Sequence, residues 1–312
     1  MQKSCGIIST MNVPITQTKA WQKLQQDLGE TSFYREEKNF SYLAIKKSTP
    51  LGAYLYSLYG PVFDTKDGLI AALNSLNTLA KEQNAFFIRI EPQPKDLFLN
   101  NLPKNARKTI DLCPKETWLL SLEGCEEELK KRLPSRLLRY YKNREKNNLT
   151  IETSKNPDDI KYLLKLQKDL AKKKNIGTFS ERYLKTELSQ PFATLYLVKH
   201  DGVLVAAGLV FDYGDTRYNL QGAQTDKGRE LHATGILTVQ LILDARSKNL
   251  QKFDFWGIAP EGAPSSHPWA GFTNFKKTFA GYEVDYAGTY DLVLNKFKYK
   301  LYQIMRAVRR KI

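Results

Sequence analysis

Two stretches, Ala80-Lys81-Glu82-Gln83-Asn84-Ala85-Phe86-Phe87-Ile88-Arg89-Ile90 and Ala245-Arg246-Ser247-Lys248-Asn249-Leu250-Gln251-Lys252-Phe253-Asp254-Phe255-Trp256, carry the same pattern. In each, a polar helix end (Ala80 to Asn84, Ala245 to Asn249) runs into a segment whose apolar residues alternate: Phe86, Ile88 and Ile90 in the first, Phe253 and Phe255 in the second. A period of two marks a strand with one face on a core. The copies lie 165 residues apart, from Ala80 to Ala245.

The surroundings repeat as well. Before the first copy, residues 42–46 and 54–59 read as strands and 67–83 as a helix leading into a strand over 85–90. Before the second, 193–199, 203–212 and 217–222 read as strands, the first two joined by the turn His200-Asp201-Gly202, with a helix over 234–248 and a strand over 252–256. Two strand-strand-helix-strand units predict two similar α/β domains in tandem. A last strand is expected over 286–294, followed by a terminal helix that can return to the first domain. The expected domains are 1–147 with 290–312, and 148–289, joined through the stretch near 130–150.

The chain has 312 residues, 42% of them apolar, which suits two domains with full cores and excludes disorder as the main state. No apolar run approaches the roughly 18 residues of a membrane span, and residues 1–12 lack the layout of a secretory signal. Cys5, Cys113 and Cys125 are too few and too scattered for a disulfide framework or a zinc site, and they fit a reducing cytosol. There is no phosphate loop, no dinucleotide fingerprint and no nucleophile elbow. The three histidines, His200, His232 and His267, have no ligand spacing. No cofactor or metal is expected. What is left is catalysis by positioning and electrostatics between two substrates.

The net charge is +15, and its placement matters more than its size. Residues 130–146 hold eight basic side chains, among them Arg136 and Arg139, and one acid; residues 296–311 hold seven and none. Such concentrated fields attract polyanions, with nucleic acid and anionic lipid the obvious classes. In the first run Pro134 suits an opening helical turn, with Arg132, Arg136, Arg139 and Asn143 near one face and Leu133, Leu137 and Tyr140 toward another. In the second, Phe297, Leu301, Ile304, Met305, Val308 and Ile312 recur at helical spacing, with Lys298, Gln303, Arg306, Arg309 and Arg310 on the other side. That helix either docks its apolar face on the domain or lies on an anionic membrane surface.

The second half also holds an ordered series of motifs: Tyr213-Gly214-Asp215-Thr216-Arg217-Tyr218, Gln221-Gly222-Ala223, Phe253-Asp254-Phe255-Trp256-Gly257-Ile258, Phe275-Lys276-Lys277-Thr278-Phe279-Ala280-Gly281 and Gly288-Thr289-Tyr290-Asp291-Leu292. The first half adds Gln17, Trp21 and Tyr59-Gly60-Pro61-Val62-Phe63-Asp64. In this order the set resembles the Fem family of peptidoglycan bridge-forming aminoacyltransferases over nearly the whole chain. The resemblance implies two tandem domains of the acetyltransferase (GNAT) type, a terminal helix returning to the first, and no coiled-coil insertion. It implies transfer of an amino acid from aminoacyl-tRNA to an amine on the stem peptide of a lipid-linked or nucleotide-linked peptidoglycan precursor, in the cytoplasm or at the inner face of the membrane. The precursor site is expected on the first domain, near the groove between the two.

By the same resemblance Lys276 matches a lysine at the acceptor end of the tRNA, and Phe275 packs on the terminal adenosine or shapes the pocket. Lys277, Arg136 and Arg139 join Lys276 as tRNA contacts. Asp64 matches an aspartate that orients the acceptor ammonium or takes its proton. Tyr59, Tyr218 and Gln221 fall at substrate-contact places, Gln221 standing where a tyrosine is usual. Gln25 and Phe179 stand where a lysine and an arginine hold nucleotide phosphates, and Lys23 is the nearby substitute. The 225–235 loop occupies the place of a pyrophosphate cradle, but Gly228 and Gly235 are too far apart to form one. Two other readings remain: an acyl-CoA-dependent N-acyltransferase, and a non-catalytic RNA- or membrane-binding relative.

Overall fold

The computed structural model describes residues 13–174, 177–267 and 269–309, and it puts both quoted stretches at the same place in a sheet. Cys5, Arg310 and Ile312 lie outside the described residues, as does the side chain of Arg309.

The chain opens with α1 (Lys19–Asp27), where the Thr18 side chain accepts the N–H of Trp21. It continues through β1 (Ser32–Glu37), β2 (Phe40–Thr49), β3 (Gly52–Ser57), β4 (Val62–Phe63), α2 (Lys66–Glu82), β5 (Ala85–Ile90), α3 (Lys95–Leu99) and β6 (Ala106–Lys108). Next come β7 (Glu116–Ser121), α4 (Glu126–Arg132), α5 (Ser135–Lys142), β8 (Leu149–Ser154), α6 (Ile160–Lys174), α7 (Glu181–Leu188), β9 (Ala193–His200), β10 (Val203–Tyr213) and β11 (Thr216–Gln224). The chain ends with α8 (Asp226–Glu230), α9 (Ala233–Ser247), β12 (Lys252–Gly257), α10 (Ala270–Lys277), β13 (Tyr282–Asp285), β14 (Tyr290–Val293) and α11 (Lys296–Arg309).

These elements form two compact units, one running to Lys115 and resuming at Asp285, the other Glu116–Val284. The first holds a sheet in the order β1-β2-β3-β5-β14-β6, with β4 beside β2. Its one parallel pair among the described residues, β3 with β5, is bridged by α2. The second sheet runs β13-β7-β12-β11-β10-β9-β8, and its parallel pair, β11 with β12, is bridged by α8 and α9. A parallel pair needs such a crossover, so the repeated helix-then-strand text is the repeated crossover.

The rhyme at the helix ends has a physical cause. Asn84 and Asn249 both take the left-handed backbone, at φ 52° and 60°, one residue past the caps of α2 and α9. Asparagine tolerates that conformation better than other side chains. After α9 the N–H of Asn249 bonds to Arg246 O (3.0 Å) and that of Leu250 to Ala245 O (3.1 Å), turning the chain into β12. Each sheet carries its own core. Leu69, Ala72, Leu76, Ile88, Ile90 and Phe98 anchor the first; Leu120, Val210, Ile236, Ile242, Phe253 and Phe279 anchor the second.

Several expectations shift. The first boundary falls after Lys115 rather than 147, because β7 pairs with β12 and Leu129, Leu133 and Leu149 enter the second core. The basic stretch is therefore part of the second unit, not a link. It is also two helices: Leu133 and Pro134 are extended (ψ 150° and 118°) and separate α4 from α5. The return to the first unit comes at Asp285 rather than 290. The last strand starts only at Tyr290, because Gly288 (φ 79°) breaks the extended backbone ahead of it. The returning helix α11 belongs to the first unit, as expected.

Candidate active site

In the second unit the parallel contact is short. Thr216, Arg217 and Tyr218 pair with Lys252, Phe253 and Asp254, and the pairing stops there. Beyond this point β11 continues on β10, and β12 continues to Gly257 on β7. In open α/β sheets, ligands gather at the carboxyl ends of parallel strands.

The end of β12 is built around Asp254. Burial pushes its carboxyl up to about 6, against hydrogen bonds from the Thr117 hydroxyl (2.5 Å) and the Trp256 N–H (2.7 Å) and the attraction of Lys276. Trp256 sits at φ 64°, a conformation that a bulky side chain rarely adopts. The bond from its N–H to Asp254 holds the turn. That turn presents the carbonyls of Trp256 and Gly257 to the Lys276 ammonium, at 3.4 and 2.6 Å. Desolvation lowers Lys276 to about 8, with Asp254 opposing, so the side chain still carries its charge at neutral pH. The Thr273 hydroxyl accepts the Ala259 N–H (2.7 Å) and donates to Trp269 O (2.9 Å), tying α10 to the chain after β12. The result is a fixed, half-buried cation whose nearest oxygens are neutral.

Of the expected residues, Lys276 and Tyr218 meet here; the Tyr218 ring is edge-on to Trp256 at 6.3 Å. Phe275 packs edge-on to Phe279 (5.4 Å) against the core. The Phe275-Lys276-Lys277 segment forms the last turn of α10. Lys277 turns to Glu283 (3.0 Å) and the Trp118 ring. Gln221 is buried elsewhere: it donates to Glu187 (3.0 Å) and accepts from Gln167 (2.8 Å). Desolvation drives the Glu187 carboxyl up to about 8. Arg136 and Arg139 are exposed on α5 around Tyr140, whose ring stacks on His232 at 4.6 Å.

In the first unit Tyr59 is buried at φ 53°, and its hydroxyl donates to Pro114 O (2.8 Å). Asp64 is exposed just before Thr65, which caps α2. Lys23 is exposed and pairs with Asp27 on its own helix. Gln17 is structural: its amide accepts Leu43 N–H (2.8 Å) and donates to Leu58 O (2.5 Å). Gln25 is buried, while Phe179 is exposed and stacked on Tyr183. Residues 225–235, expected as a loop, hold α8 and the start of α9, and their two glycines serve close approach. A Cβ on Gly228 would meet Val205 O at 2.3 Å, and one on Gly235 would meet Leu137 Cδ2 at 2.6 Å. Burial keeps the Cys113 thiol well above its ordinary range and hence unreactive.

Asp254, Thr117 and Trp256 are the site residues that sequence reasoning did not single out. Asp254 left a signal, an acid between two buried phenylalanines of an alternating strand. Thr117 left none, because only the sheet brings it to Asp254.

A family model described as the FemAB family matches residues 126–307. Among solved structures, FemX shares 18% identity and superposes with a TM-score of 0.78, over 93% of this chain and 94% of that one. L-PGS from Bacillus licheniformis gives 14% and 0.59, over 96% and 99%. A tandem GNAT protein from the clavulanic acid biosynthesis pathway gives 10% and 0.50, over 82% and 79%. At these identities the likeness is one of fold, and it agrees with two GNAT-like domains. No curated protein matches in sequence. With the family model covering more than half of its 312 residues, the chain belongs to the FemAB family.

Proposed function

We propose that the protein transfers an amino acid from aminoacyl-tRNA to an amine on the stem peptide of a peptidoglycan precursor. The observation that carries this reading is Lys276, a charged ammonium fixed at the parting ends of β11 and β12 by two carbonyls. The reaction is aminolysis of an ester. The acceptor nitrogen bonds to the aminoacyl carbonyl carbon, the carbonyl oxygen gains negative charge, the ester C–O bond breaks, and the ribose oxygen leaves with the proton lost by the amine. A preorganised cation near that oxygen contributes about 3 kcal/mol in comparable sites. Its hydrogen bonds go to neutral carbonyls, and the nearby Asp254 carboxylate supports the protonated form of Lys276.

The remaining roles follow the family resemblance. Asp64, exposed ahead of α2, orients the acceptor ammonium or receives its proton. Arg136 and Arg139 offer exposed charge to tRNA phosphates, and Lys277 joins them by leaving its pair with Glu283. The precursor is read as lipid-linked, because neither nucleotide-phosphate position offers a cation: Gln25 is buried and Phe179 is apolar.

An acyl-CoA donor is disfavoured by residues 225–235, where α8 and the start of α9 stand in place of an open loop, with the N–H of Gly228 taken by the Thr225 hydroxyl (2.9 Å) and that of Thr234 by the Gln224 side chain (3.4 Å). The test is purified protein with charged tRNA and lipid-linked precursor, read by mass spectrometry of the stem peptide. Lys276→Ala is expected to lower turnover by roughly two orders of magnitude. Unchanged turnover removes Lys276 from the mechanism, and stabilisation by CoA in a thermal shift would favour the acyl-CoA reading.

A further inference from the structure

We propose that the outward face of α11 seats the protein on an anionic lipid bilayer. The helix is attached to its own unit by one side. Tyr299 is buried and donates to Asp291 (2.9 Å), Gln303 donates to the Tyr299 hydroxyl (2.6 Å), and the Tyr302 ring lies 5.1 Å from Phe87 and 5.8 Å from Phe86. The opposite side carries Phe297, Leu301, Ile304 and Val308, which are 74%, 36%, 53% and 53% exposed. Their spacing, three or four residues apart, sets them in one line along the helix. Leu294, 39% exposed, lies just before the helix begins. The apolar face is thus not the docking face, and the aromatic face does the docking.

Single exposed apolar residues are ordinary on a protein surface; a line of four along one helix calls for a partner. Charge decides which. Lys296, Lys298 and Lys300 are exposed beside the stripe, and α11 contains no acid. A second copy of this helix would bring lysines against lysines around the apolar contact. A nucleic acid would answer the charge but not the stripe. An anionic bilayer answers both: acyl chains take the apolar line while the lysine stems reach phosphate headgroups. The proposal does not depend on the reaction catalysed.

The test is co-sedimentation of the full chain with phosphatidylcholine vesicles and with mixed phosphatidylcholine–phosphatidylglycerol vesicles. Binding to the mixed vesicles, weakened by salt, is expected. The double substitution Phe297→Ser with Ile304→Ser should reduce partitioning by roughly tenfold or more while leaving the melting temperature unchanged, since both side chains are exposed. Replacing the three lysines by glutamine should remove the preference for phosphatidylglycerol. No vesicle binding, or equal binding to neutral vesicles, overturns the proposal. So does a dimer in light scattering that the double substitution converts to monomer, because a second copy would then be what covers the stripe.

Discussion

Glu187→Gln tests the interior of the second unit independently of any substrate. The Glu187 carboxyl is 2% exposed, and desolvation raises it from 4.5 to about 8, against hydrogen bonds from Tyr183 and Gln221. A carboxyl that binds its proton more tightly when folded stabilises the protein below its unfolded value, and that stability is lost as pH rises through the folded value. The window therefore runs from about 4.5 to about 8. At 1.36 kcal/mol per pKa unit the whole window amounts to about 5 kcal/mol, and a rise from pH 5.5 to 7.5 costs roughly 3. Glutamine has the same shape, accepts the Gln221 N–H through its own oxygen, and does not titrate. Stability measured by urea denaturation at a series of pH values should fall faster with pH in the unsubstituted protein than in Glu187→Gln. The difference between the curves isolates this one group from Asp254, which titrates in the same direction. Parallel curves would show that the carboxyl is not buried as described and would refute the reasoning.

Other outcomes follow from the same physics. Asp254→Asn removes the charge that supports the Lys276 ammonium, so the lysine should lose its proton below about 8; the alkaline limb of the pH–rate profile should move to lower pH, and an unmoved limb would mean that Lys276 is not the group titrating there. In the first unit Arg89 grips Asp291 with two bonds of 2.7 and 2.8 Å, both side chains being buried. Arg89→Met leaves that carboxylate without its cation and should cost about 3–5 kcal/mol by denaturation, while adding Asp291→Leu should recover much of the loss. A loss well under 1 kcal/mol for Arg89→Met would show that the pair is solvated.

The amino-acid sequence by itself determined the local elements and their duplication. Helix ends, alternating strands and asparagines suited to left-handed turns are encoded by residues within a few positions of each other, so 85–90 and the strand begun at Lys252 could be read directly. The ordered motifs likewise pointed to the family and to Lys276. Only tertiary structure decided what depends on residues far apart in the chain. Thr117 reaches Asp254 across 137 positions because β7 joins the sheet beside β12, which also moves the domain boundary. Gln221 becomes a buried partner of Glu187 because α6 and α7 enclose it. Periodicity found the apolar line of α11, but a helix with two usable faces does not reveal which one docks; the aromatic cluster of Phe86, Phe87, Tyr299 and Tyr302 settled it by taking the other side. Sequence patterning reports how residues alternate along an element, whereas burial, charge pairing and pKa depend on what other elements bring to it.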